Sequence, residues 1–111
     1  MRAHTRFRYE NAPVERIRVE LLSGIVEARS GLAASAERRF RSALATSEQE
    51  VPRQPSQRVE LCLQLAQVLA ASGRAPEAAE VARRGLENAQ AAYGAFYSQH
   101  PFVLELRKFA P

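Results

Sequence analysis

The chain has 111 residues, 46% hydrophobic and 25% charged. That is enough for one small domain with a modest core, and it excludes a disordered chain. The formal charge is +4, but the excess is local: Arg2, Arg6, Arg8, Arg16 and Arg18 stand against Glu10 and Glu15 near the start. The remainder is close to balance, which argues against one continuous basic face for nucleic acid.

Lys108 is the only lysine and no aspartate occurs, an arginine- and alanine-rich usage that a GC-rich, bacterial-type coding sequence gives. Cys62 is the only cysteine, so no internal disulfide and no cysteine metal cluster is expected, and a reducing cytoplasm fits. The opening MRAHTRFRYENAP carries charges without an apolar region, unlike a signal peptide. No stretch approaches the ~18 apolar residues of a membrane span.

Residues 1–12 show no periodicity and read as a basic N-terminal arm. From Val14 a helical pattern begins: Val14, Ile17, Leu21, Ile25 and Ala28 recur at steps of three and four. Asn11 and Pro13 offer start chemistry, and Ser30-Gly31 ends the helix. A second helix puts Ala36, Phe40, Ala43 and Leu44 on one face. TSEQEVPRQPSQ, from Thr46, reads as a loop because of Pro52 and Pro55.

A third helix is predicted from about Ser56 to Ser72. It is apolar nearly all round, with Leu61, Leu65 and Val68 on one stripe, Cys62, Ala66 and Leu69 on the next, and Leu63 and Ala70 on a third. Such a helix is packed on several sides. Pro76 is well placed to open a fourth helix, expected to reach about Ser98. His100-Pro101 then breaks the chain, and a short fifth helix takes in Phe102 to Ala110. Tyr93, Phe96, Tyr97 and Phe102 are expected to close the end of the stack as core, the other reading being a patch that faces a partner.

Gly31 and Gly73 lie 42 residues apart, and at the same offset Arg16 matches Arg58, Leu21 Leu63, Val26 Val68, Ala28 Ala70, and Ser30 Ser72. Ala33 matches Ala75, Ala36 Ala78, Arg41 Arg83 and Leu44 Leu86. With the glycines there are ten identities between residues 16–48 and 58–90, where a composition of this kind alone would give roughly three. No gap is needed, so the chain reads as two units in register.

The residues at the turns resemble those of the tetratricopeptide repeat family. That family pairs a helix A with a helix B through a short turn, using small residues where the helices cross. In the first unit the matching residues are Gly24, Gly31, Ala36, Phe40 and Ala43. In the second they are Leu65-Ala66, Gly73, Ala78, Ala82 and Gly85. The 42-residue period, with Gly94 and His100-Pro101 ahead of the next helix, is similar to kinesin-light-chain-type repeats. Five residues lie between Gly94 and His100 where that type has two. Glu20, Ser23 and Glu27 replace large apolar residues of its helix A.

The resemblance implies an all-α solenoid of two helix-turn-helix repeats, at about 14–47 and 56–98, plus a C-terminal cap helix at about 101–110. The helical domain would span 13–111. It further implies that helix A residues line a concave, partner-binding face: Arg18, Leu21, Ile25 and Arg29 in the first unit, and Glu60, Leu63, Gln67 and Ala71 in the second, with Gln64 beside them. Leu21, Ile25 and Leu63 are then expected to be partly exposed, and Leu65 and Leu69 to be core. Family members that grip a peptide's C-terminal carboxylate use Lys, Arg and Asn on this face. Leu21 and Ile25 stand in those places here, so an apolar helix or extended segment is the better expectation.

Nothing in the sequence assembles a catalytic set. Cys62 sits on an apolar stripe and reads as a small buried hydrophobe. His4 and His100 are the only histidines, and neither has a second ligand one helical turn away. His100 reads as a cap or turn residue. There is no glycine-rich phosphate loop and no Ser-His-acid spacing. A non-catalytic protein–protein interaction module is therefore expected, an adaptor or regulatory scaffold with no cofactor and no metal.

Two alternatives stay open. LAQVLAASGRAPEAAEVARRG shares features with a DNA-binding helix-turn-helix, although seven residues separate Ala66 from Gly73 where that motif has about four. The basic arm could likewise touch a polyanion. A self-assembling structural unit is the other alternative, and Leu22 and Val26, beside the main stripe of the first helix, suggest a homodimer that covers them.

Overall fold

The computed structural model describes the backbone of residues 2–111 and the side chains of residues 13–111. It is all-helical, with no strand among the described residues: α1 spans Arg2–Arg29, α2 Ala33–Glu50, α3 Ser56–Ala71, α4 Ala75–Tyr93 and α5 Pro101–Leu106. A 3₁₀ segment, Gly94–Gln99, joins α4 to α5. The helix expected to begin at Val14 carries Pro13 inside it. The side chains of the basic arm, with the cap residue Asn11, lie outside the described residues.

The two helix-pair turns are built alike, bond for bond. Gly31 adopts φ 83° and Gly73 φ 78°, the left-handed region that glycine enters without a Cβ clash. The amide of Leu32 donates to the Glu27 carbonyl at 2.8 Å and that of Gly31 to Ala28 at 3.2 Å. Forty-two residues on, Arg74 donates to Leu69 at 2.9 Å and Gly73 to Ala70 at 3.0 Å. This paired 6→1 and 5→2 pattern is the Schellman closure of a helix C-terminus. Ser30 and Ser72 add the same side-chain bond, donating to Val26 and Val68.

Within each pair the small residues set the crossing. A Cβ on Gly24 would fall 2.8 Å from Cζ of Phe40, so the α1 backbone is where the fully buried Phe40 ring lies. Gly85 plays that part on α4, where a Cβ would meet Cys62 and Leu106 at 2.8 and 3.0 Å. Ala36, Ala43, Ala66, Ala78 and Ala82 are all buried. α1 packs on α2 and α3 on α4, while α3 also meets α1, α2 and α5. The all-round apolar composition of α3 follows from those neighbours. Leu61, Cys62, Leu65, Ala66 and Leu69 are each fully buried.

One polar group is built into this core. Arg58, at the start of α3, is buried without a carboxylate partner among the described residues. Its Nη1 donates to the Ser47 carbonyl and Oγ at 3.2 and 3.0 Å and to the Val51 carbonyl at 3.2 Å. Its Nη2 donates to the Pro52 carbonyl at 2.9 Å, and its Nε to Asn88 Oδ1 at 2.9 Å. The cation thus sits at the C-terminal end of α2 and the loop that follows, where the helix dipole favours positive charge.

Four boundaries differ from the sequence reading. α1 begins at Arg2 rather than Val14, so its backbone takes in the stretch read as a non-periodic arm. α2 runs on through Thr46 to Glu50, because TSEQE contains no helix breaker and Arg58 anchors Ser47 and the Val51 and Pro52 carbonyls just past its end. α4 stops at Tyr93 rather than near Ser98, since Gly94 takes φ 66°, ψ −141°. α5 starts at Pro101 and ends at Leu106, short of Ala110, with Val103 and Leu106 buried.

Candidate functional site

Of the nine residues expected on the concave face, five line one groove: Ile25 and Arg29 of α1 and Gln64, Gln67 and Ala71 of α3. Ala28, Ala33 and Val68 complete it, and the groove encloses about 400 Å³. It lies between the two helix pairs, so both must be in place to form it. Five of its eight lining residues are apolar and small or medium in size. Gln64 and Gln67 offer amide donors and acceptors, and Arg29 supplies the one charge.

The other four residues are placed elsewhere. Leu21 and Leu63 were expected to be partly exposed; they are only 6% and 4% exposed and belong to the core. Leu21 lies on the main stripe of α1 and Leu63 matches it 42 residues on; both join the core cluster and neither lines the groove. Arg18 is exposed and is not among the groove residues. Glu60 is half-buried and acts on Tyr93, whose hydroxyl pKa is raised by burial and by that carboxylate. Leu65 and Leu69 are fully buried, as the periodicity predicts. Ala28, Ala33 and Val68 escaped notice as lining residues, although all three fall among the identities between the two units.

Five of the described arginines are held by glutamates: Arg16, Arg39, Arg41, Arg74 and Arg84. Arg39 donates to Glu20 and Glu27 at 2.9 and 2.8 Å, tying α2 to α1. Arg74, in the second turn, donates to Glu37 of α2 and Glu77 of α4, both at 2.7 Å. Its hydrogen bonds hold the Glu37 and Glu77 carboxyls below the ordinary carboxylate range, and Arg39 does the same for Glu27. Arg16 pairs with Glu50 at 2.9 Å and Arg84 with Glu48 at 2.6 Å. Both belong to α1 or α4 and reach the end of α2. Among the described residues Glu15, Arg18 and Arg29 take part in no ion pair.

The sequence candidates for chemistry find packing roles. Cys62 is fully buried, and burial pushes its thiol pKa up to about 11, which keeps it protonated and poorly nucleophilic at neutral pH. His100 caps α5, its Nδ1 accepting from the Phe102 amide at 3.1 Å. Its ring stacks on Tyr93 at 4.0 Å between centroids and leans on Phe102 at 5.0 Å. Phe96, expected with them in the core, is instead 74% exposed on the 3₁₀ segment. Among the described residues no group of three His, Cys, Asp or Glu side chains is placed to hold a metal ion. No described helix is long and apolar enough to cross a membrane.

Comparison of the chain with models of protein families, with curated proteins and with solved structures finds no match.

Proposed function

We propose that the chain is a non-catalytic protein–protein interaction module, a tetratricopeptide-repeat-like solenoid of two units that holds a segment of a partner protein in the groove between its helix pairs. The observation that carries this reading is the convergence of Ile25, Arg29, Gln64, Gln67 and Ala71 on one groove. The stacking order, each pair packed inside itself and joined to the next through α2 and α3, and the matched turns support the solenoid.

The lining favours a segment with small apolar side chains and an acidic neighbour. Ile25, Ala28, Ala33, Val68 and Ala71 offer apolar contact, the two glutamines suit the backbone of an extended or helical segment, and Arg29 is free of the glutamates that occupy other arginines. Binding to duplex DNA that falls steeply with salt would instead support the helix-turn-helix reading.

The test begins with peptides selected for binding from a display library. Ala71→Trp fills the groove and Gln67→Arg adds charge to it; both positions are exposed, so thermal melting should be unchanged. Each substitution is expected to abolish capture of the selected peptides. Peptides held equally well by both variants would move the site away from the groove, with exposed Phe96 the next place to look.

A further inference from the structure

The outer face of α1 is apolar and open. Val19, Leu22 and Val26 are 59%, 55% and 64% exposed and follow one another at steps of three and four, so they form a single stripe. The 42-residue offset shows what this stripe is suited to meet. It maps Val19 onto Leu61 and Val26 onto Val68 of α3, which are 0% and 7% exposed. The α3 stripe is covered by the first helix pair; no described element covers that of α1. Beside the stripe, between α1 and α2, lies an unfilled hollow of about 470 Å³ with Val19 in its wall. In the second unit the matching region receives the end of α2, through the Arg58–Ser47 and Arg84–Glu48 contacts.

We propose that this face is a homodimer interface, in which α1 of a second copy of this chain lies antiparallel across α1 on a two-fold axis at Leu22. Self-complementary charge selects that occupant, as a symmetric two-fold contact requires. Glu15 stands seven residues before Leu22 and Arg29 seven after it, two helical turns each way on the same stripe. An antiparallel pair centred on Leu22 brings Glu15 of each copy to Arg29 of the other, twice over. Val19 of each copy meets Val26 of its mate, and Leu22 meets Leu22. Neither charge has an ion-pair partner among the described residues of its own chain.

Sedimentation of the full chain tests this, with far-ultraviolet circular dichroism as the check on folding. The wild-type chain is expected to be a dimer with a dissociation constant in the micromolar range. Leu22→Asp should weaken association by about tenfold or more, because two charges would face each other across the axis. Glu15→Arg and Arg29→Glu should each weaken it, and the double variant should restore it. Leu22→Cys should also cross-link copies on oxidation, whereas Leu32→Cys, exposed but off the axis, should not; buried Cys62 gives no background.

A chain that stays monomeric at several hundred micromolar overturns the proposal and leaves the face for a preceding helix pair on another chain. So does a dimer that is indifferent to Leu22→Asp, or single charge reversals that the double variant fails to rescue. Arg29 also lines the groove, but Leu22→Asp, Glu15→Arg and Leu22→Cys touch no groove residue, so their outcome separates failure here from failure of the proposed function.

Discussion

α1 and α3 hold matching places in the two helix pairs and end in the same hydrogen-bonded turn, yet their outer faces have opposite fates. Val26 is 64% exposed and its counterpart Val68 only 7%. The two residues are chemically identical. What differs is that α2 and α1 lie against α3, whereas no described element lies against the outer face of α1. Burial in a stack is therefore a property of position, and a periodic pattern read from one helix cannot report it.

Substitutions can break or sharpen that contrast. The largest effect is expected from Leu65→Ala, in the enclosed α3, which should cost about 2–5 kcal/mol in urea unfolding. Val26→Ala, measured at concentrations where the chain is monomeric, should stay within about 0.5 kcal/mol. Comparable losses at the two positions would mean that a single chain covers its own outer face. Next comes the matched arginine pair. Arg58→Met strips hydrogen bonds from buried carbonyls of α2 and the following loop and should cost about 2–3 kcal/mol. Arg16→Met removes an exposed pair with Glu50 and should cost less than about 1 kcal/mol. Equal shifts in the urea midpoint would contradict the different burial of the two cations.

The smallest effect tests what the units share. Gly31→Ala and Gly73→Ala meet no neighbouring atom within 4 Å, so only the left-handed backbone opposes them, at about 1 kcal/mol each. Thermal melts of the two variants should coincide. A clear difference would show that the turns, alike in bonding, carry different loads.

The elements that local chemistry decides were legible in the sequence. Gly31 and Gly73 mark both turns because only glycine enters that backbone region cheaply. Leu65 and Leu69 read as core because α3 is apolar on every side. Five groove residues were named because the tetratricopeptide-repeat resemblance implies that helix A residues line the concave face.

What was not legible depends on distant neighbours. Leu21 lies one helical turn before Ile25 on the same stripe, and Leu63 matches it on α3, so periodicity alone could assign them to the groove or to the core. Only the surrounding helices decide that they are core. The end of α2 could not be seen because Arg58, from the next helix, anchors Ser47 and the loop beyond it, and nothing near Ser47 in sequence announces that partner. Gly94 was recognised, but its extended ψ, which starts a 3₁₀ segment and leaves Phe96 in solvent, has no local signature.

The fit of Phe40 against Gly24 has a bearing on how each helix finds its mate during folding. The corresponding positions in the second pair are Ala66 and Ala82. A folding chain that docked α2 on α3 in the manner of α1 would drive the Phe40 ring into the methyl of Ala66. Docking α4 on α1 would leave a ring-sized void between Gly24 and Ala82. Large against none in one pair, and small against small in the other, give each pairing its own volume. Two units that share a turn, a period and ten residues are thus kept from exchanging helices by the size of two side chains.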